Sequence, residues 1–281
     1  MNPVKITYEP DNSLKKGYVS LFREIYLELK KNRWLTYQFF KRDFLALYKQ
    51  SFLGIFWAII IPLIGVGTFI ILNNSGVFVI DEMKVPYPVY AVLGMAFWQF
   101  FATGLATSSD SLVKAGSMII RINFSKKSLI IAAASLSIVP FLVQFILVIV
   151  LFFIFKISPS IAILCTPFFL IPLLLLMLGL GLILALLNGV MRDIGKVLPF
   201  LITFLMFLTP VLYEKPSEGI LALFTKYNPL YYLISMPREI ILQGTMSEWR
   251  GYLLASALSA ICFVFSLIVF HLTEKRVAER I

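Results

Sequence analysis

Residues 129–155 read LIIAAASLSIVPFLVQFILVIVLFFIF, and after Lys156-Ile157-Ser158-Pro159 the chain resumes SIAILCTPFFLIPLLLLMLGLGLILALL over 160–187. Neither run holds a charged side chain. About 20 apolar residues in a helix cross the hydrocarbon core of a bilayer. Each run therefore predicts one crossing, and the short spacer makes the pair a tight helical hairpin. The same pattern recurs at 52–72, 87–110, 196–213 and 251–272. Composition agrees: the 281 residues are 59% hydrophobic and 14% charged, with mean hydropathy +0.89. A soluble domain is about half apolar and about a quarter charged. The predicted class is an all-α integral membrane protein with six transmembrane helices. Pro62, Pro140 and Pro172 fall inside spans, where buried neighbours satisfy the freed backbone groups.

Lys and Arg accumulate in cytoplasmic loops. Residues 1–51 hold ten, 112–128 four, 188–196 two and the tail three, all on one side of a six-span chain. The other side has Lys84, Lys156, Lys215, Lys226, Arg238 and Arg250. Nineteen against six predicts a multi-pass membrane protein with both termini cytoplasmic. The net charge of +10 follows from that topology, without nucleic acid as a partner. No early apolar run accompanies the N-terminal basic residues, so no cleavable leader is expected. The domain reading is an interfacial segment over 1–50, a transmembrane domain over 51–273 and a cytoplasmic tail over 274–281.

Within 18–33, Leu21, Phe22, Ile25, Tyr26 and Leu29 recur at helical spacing opposite Arg23, Glu24, Glu28, Lys30 and Lys31. That predicts an amphipathic helix lying at the headgroups, continued by the aromatic and basic stretch 34–50. Residues 214–250 mix apolar and charged side chains. Pro216, Pro229 and Pro237 are expected to break them into pieces of about one to three turns, too short to span and fit to re-enter the outer leaflet.

Several chemistries are excluded. In GVMRDIGKV (189–197) five residues separate Gly189 from Gly195, and Val197 stands where a P-loop needs a hydroxyl. No catalytic residues and no metal are expected, since His271 is the single histidine. Cys165 and Cys262 lie in apolar runs and read as packing residues. Apart from Asp110 at the cytoplasmic mouth of the second span, acids avoid the membrane, which argues against an ion-driven carrier. An integral-membrane enzyme acting on polyprenyl-linked sugars would want paired acids at a membrane face, and the acids here are scattered.

Other features suit a conduit. Gln99, Thr103, Thr107 and Asp110 share one face of the second span, which must meet protein or water. Interhelical hydrogen bonding is the alternative use. Phe97, Phe100 and Phe101 cluster in the second span, and Phe200, Phe204 and Phe207 share a face of the fifth; such aromatics either stack on sugars or pack. Gly181, Ala185 and Gly189, and likewise Gly54 with Ala58, form small-residue rows for close helix packing. Arg192 and Asp193 are expected to pair beside a cytoplasmic entrance. Last, Met118, Ile119 and Ile120 lie among Lys114 and Arg121 in a basic loop, and apolar side chains there are costly unless a cytoplasmic partner buries them.

In sum the chain resembles the membrane (permease) subunit of ABC-2-type polysaccharide exporters, the transporters of O-antigen, capsule and teichoic acid. The likeness runs from about residue 20 to 281. It rests on Tyr48-Lys49-Gln50-Ser51, Leu53-Gly54 and Trp57, then Pro62, Pro86-Tyr87-Pro88 and Ser111-Leu112-Val113. Asn188, Arg192-Asp193-Ile194, Pro210-Val211-Leu212-Tyr213, Asn228-Pro229-Leu230, Arg238 and Gly244 continue it. Phe124-Ser125-Lys126 stands where the family often has an aromatic-Pro-Arg turn. The resemblance implies a homodimer beside two copies of a separate P-loop ATPase, which binds the ATP and Mg, so that no cofactor sits on this chain. It further implies a lipid-linked polysaccharide substrate, with a drug or small lipid as the alternative. Residues 112–124 would be the coupling helix, with Lys114, Met118, Ile119, Ile120, Arg121 and Phe124 meeting the ATPase. Tyr213, Asn228, Pro229 and Arg238 would belong to external gate helices.

Overall fold

The computed structural model describes residues 18–49, 52–75, 85–116, 118 and 124–278. Ile119, Ile120 and Arg121, and with them nearly half of the expected coupling helix 112–124, lie outside the described residues. The described residues form helices and no strands. In chain order these are α1 (Tyr18–Lys31), α2 (Arg33–Lys49), α3 (Trp57–Asn74), α4 (Tyr87–Ala115), α5 (Lys126–Ser135), α6 (Ile138–Ile154) and α7 (Thr166–Val190). They continue with α8 (Asp193–Leu208), α9 (Gly219–Tyr227), α10 (Pro229–Gln243) and α11 (Trp249–Ala278).

Among the described residues four segments are long and apolar enough to cross a membrane: Tyr87–Ala115, Lys126–Ile154, Ile161–Val190 and Trp249–Glu274. A fifth arises if the pair Arg33–Lys49 and Gly54–Thr68, bent by 86°, counts as one. The bend falls where α2 stops and Gly54 takes φ +49°, a left-handed conformation that favours glycine. Gly54 is thus a turn residue, not half of a packing row with Ala58. The break within Lys126–Ile154 sits just before Pro140, whose ring removes the amide that would bond the Leu136 carbonyl. Helix α8, with 16 residues, is about 24 Å long.

Helix α4 runs through the centre, enclosed by α5, α6 and α7, while α7 packs lengthwise against α11. The close approach is written in glycine. A Cβ on Gly181 would lie 2.7 Å from the Ser108 Cβ on α4, and one on Gly179 would lie 3.0 Å from the α11 backbone at Phe263. Helix α10 tucks its apolar side against α4, α7 and α11. Pro237, expected to break this segment, lies inside a continuous α10. Burial of Leu233, Ile234, Ile240 and Ile241 on both sides of it outweighs the single lost hydrogen bond.

Helix α1 buries Leu21 and Ile25, while Phe22 and Tyr26 face outward. Its other neighbours place it at the end of the bundle where α4 finishes and α5 begins, called the basic end below; α10 marks the distal end.

Candidate functional site

At the basic end, Met118 and Phe124 of the expected coupling segment lie against α2. Phe124 packs its ring 5.2 Å from Phe39, and Arg42 directs Nη1 to the Met118 sulfur at 3.7 Å. Both apolar residues are half-buried against a cluster that includes Phe39, Leu112, Leu129, Leu182 and Phe270. Lys114 remains exposed and pairs with Asp110 at 3.4 Å.

Behind this segment lies a charge cluster that sequence reasoning missed. Lys127, on the first turn of α5, is fully buried. Its ammonium contacts Glu274 of α11 and Glu28 of α1, the latter at 3.1 Å, and lies 5.8 Å above the Phe270 ring. His271 Nδ1 is 3.6 Å from the same Glu274. Ligand atoms of Glu28, His271 and Glu274 all fall within 4.8 Å of one another, but the cation they face is Lys127. Burial pushes the Glu28 carboxyl up, but the Lys127 charge, hydrogen bonds from Ser125 and Lys127, and nearby His271 together outweigh it and leave Glu28 below the usual glutamate range. Three elements are thereby tied together: α1, the start of α5 and the end of α11. The expected tail 274–281 accordingly begins inside a helix, with Glu274 buried.

One turn deeper, Asn188 near the end of α7 bonds in three directions. Its Nδ2 donates to Asp110 Oδ1 and to the Ser109 carbonyl, each at 3.1 Å, and its Oδ1 accepts from the Gly195 amide at 2.9 Å. Asp110 thus links Lys114 to the first turn of α8. A Cβ on Gly195 would come within 3.0 Å of Asn188 and 3.2 Å of Asp110, so the clasp needs a glycine there. Asp193, expected to pair with Arg192, instead meets Lys196 at 3.5 Å. Arg192 precedes α8, whereas Asp193 and Lys196 lie three apart on its first turn and so face each other.

The polar stripe of α4 is largely spent inside the chain. Gln144 of α6, fully buried, donates to Gln99 at 2.7 Å. Thr107 reaches the Ala133 carbonyl of α5 at 2.8 Å, and Thr103 is half-buried. Phe97 and Phe100, expected on a path, are buried against Phe141 with centroids 5.9 and 5.5 Å away. Their side of α4 faces α6, so packing claims them. Phe200, Phe204 and Phe207 do share an outward face of α8, with exposures of 77, 61 and 55%.

At the distal end Arg238 of α10 is 97% buried, its guanidinium 3.7 Å over the Tyr90 ring and bonded to the Val211 carbonyl at 2.6 Å and the Pro210 carbonyl at 3.2 Å. Asn228 caps α10 through the Leu230 amide and holds Thr209 at 2.8 Å, with Pro229 as the first helical residue. Tyr213 bonds the Phe207 carbonyl. These contacts fasten α10 to the chain leaving α8.

The comparisons point one way. A family model for ABC-2 type transporters matches residues 35–242. The O-antigen export system permease protein RfbA of Myxococcus xanthus is 22% identical over 267 residues, covering 94% of this chain and all of that protein. The protein of the same name from Klebsiella pneumoniae is 25% identical over 244 residues, covering 85% of this chain and 91% of its own. With that family model matching most of its length, the chain belongs to the ABC-2 type transporter family.

Proposed function

We propose that this chain is the permease subunit of an ATP-driven exporter that moves a lipid-linked polysaccharide from the cytoplasm across the inner membrane. The observation that carries this reading is end-to-end similarity to permeases named for O-antigen export. Two copies would form the path, beside two copies of a separate ATPase that holds the nucleotide and Mg. The six crossings are α3, α4, α5 with α6, α7, α8 and α11, with α9 and α10 as re-entrant gate helices on the outer side. The basic end faces the cytoplasm, as its excess of Lys and Arg favours. The coupling segment then reaches the ATPase from a platform made by α2 and the Lys127 cluster, and the aromatic face of α8 borders the path. The domain division follows: interfacial segment, transmembrane domain, tail.

The test is co-expression of the tagged chain with the genes beside its own, followed by purification. Recovery of an ATPase in equal amount, lost when Ile119 and Ile120 are both changed to Glu, supports the reading. A chain that purifies without any nucleotide-binding partner, from cells whose surface polymer is normal after its deletion, refutes it.

A further inference from the structure

A cavity of about 260 Å³ opens between α2, α4 and α5, close to the Met118 side of the coupling segment. Ala46, Leu47, Leu129, Ala133 and Leu136 supply its apolar wall. Two hydroxyls also line it, and both are already used: Thr107 donates to the Ala133 carbonyl and Ser111 to the Ser108 carbonyl at 2.7 Å. The interior therefore offers hydrocarbon contacts and little else, a poor home for water, which needs two or more polar partners.

The rim is different. Arg42 and Lys114 stand there, 49% and 69% exposed. Each has a carboxylate neighbour, Asp43 at 2.7 Å and Asp110 at 3.4 Å. Exposed pairs of this kind are worth little and rearrange readily. An Arg guanidinium binds a phosphate in a two-pronged, charge-assisted manner. Helix α2, which carries Arg42, and α1 before it are basic as a whole: residues 18–49 hold seven Lys or Arg against three acids. An anionic headgroup with an apolar tail matches both halves of the cavity.

The geometry points to a binding site for an anionic glycerophospholipid of the cytoplasmic leaflet, its acyl chain between α2, α4 and α5 and its phosphate between Arg42 and Lys114. The lipid sits beneath the coupling segment and supports it. This goes beyond the transport reading, and its test reads lipid retention, not export.

The full chain, purified in detergent, is exposed to equal amounts of phosphatidylglycerol and phosphatidylcholine, and retained lipid is read by native mass spectrometry. Phosphatidylglycerol is retained preferentially, and each of Arg42→Gln and Lys114→Gln lowers that preference about fivefold. Ala133→Leu, which fills the cavity without touching the rim, lowers retention of both lipids. Lys30→Gln with Lys31→Gln, on the same basic helices but outside the cavity, leaves retention unchanged. Equal retention of the two lipids overturns the proposal, as does an equal loss in the Lys30/Lys31 variant, which would mean unspecific attraction. In a separate arm, undecaprenyl phosphate displacing phosphatidylglycerol at equal concentration would reassign the cavity to a polyprenyl carrier. The rim variants are exposed, so they report even if Ala133→Leu fails to fold.

Discussion

Lys127 and Glu274 stand 147 positions apart in the chain and meet in direct contact at the basic end, the lysine without any exposed surface. A buried ammonium is tolerable only when its charge is matched. Here Glu28 and Glu274 match it from two other helices, so the contact fixes how α1 and α11 sit on the first turn of α5. That turn follows directly on the coupling segment.

Removing the lysine leaves two carboxylates facing each other with no cation between them. Lys127→Met is expected to cost about 3–5 kcal/mol, the usual penalty for orphaning a buried ion pair. The thermal midpoint of the detergent-solubilised protein measures it. Adding Glu28→Gln and Glu274→Gln to Lys127→Met should return much of the loss. A single mutant as stable as the parent would show that the cluster carries no structural load.

Glu28 makes this dependence titratable. Its folded-state carboxyl lies below the unfolded value of about 4.3, so its contribution is complete above that pH and disappears as pH falls through the folded value. The stability gap between the parent and Glu28→Gln should therefore hold from neutral pH down to about 4.3 and close below it. Midpoints measured across that range check the sign; a gap that widened on acidification would contradict it.

The Asn188 clasp discriminates between charge and shape. Asn188→Ala leaves Asp110 and the Gly195 amide short of partners, at about 1–3 kcal/mol. Asn188→Asp keeps the acceptor for Gly195 but sets a second carboxylate against Asp110, and should be the worse of the two. Combining it with Asp110→Asn restores a donor between positions 110 and 188 but not the bond to the Ser109 carbonyl, and should recover part of the stability and of the surface polymer. If Asn188→Asp proved milder than Asn188→Ala, the bond to Asp110 would not be the one that matters.

Arg238 tests whether planarity is required at the distal end. A lysine keeps the charge but cannot lie flat on Tyr90 while bonding two carbonyls. Arg238→Lys should fall nearly as far as Arg238→Met, each losing about 2–3 kcal/mol from charged hydrogen bonds. Unfolding midpoints compared with Tyr90→Phe, which keeps the ring but loses the hydroxyl with its 3.2 Å bond to the Tyr213 carbonyl, separate stacking from hydrogen bonding by that hydroxyl.

What the sequence reveals divides along the same line. The spans 129–155 and 160–187 are legible because hydrophobic length is a local property, and the structure returns them as Lys126–Ile154 and Ile161–Val190. The stripe on α4 is legible as polarity; its partners Gln144, Ala133 and Asn188 are not, because they lie on other helices. Lys127 carried a usable signal. A lysine opening an apolar run must either reach water or find a buried acid. Which acid depends on packing, and no periodicity reports that Glu28 and Glu274 converge there. Pro237 misleads for a related reason: its local cost is legible, while the burial that overrides it is not.

The two groups of phenylalanines make the sharpest contrast between fold and path. Phe97 has no exposed surface and packs on Phe141, whereas Phe204 is 61% exposed on α8. Phe97→Ala should cost about 3–5 kcal/mol through the void it leaves, and should reduce export only in proportion to the amount of folded protein. Phe200→Ala, Phe204→Ala and Phe207→Ala remove rings that contact little within the chain. They should leave the unfolding midpoint nearly unchanged, yet lower the polymer displayed per folded permease if that face borders the path. Surface polymer normalised to folded protein separates the two cases. Were the α8 triple variant to export normally, the path would have to be bordered elsewhere, since the α4 aromatics are already committed to the core.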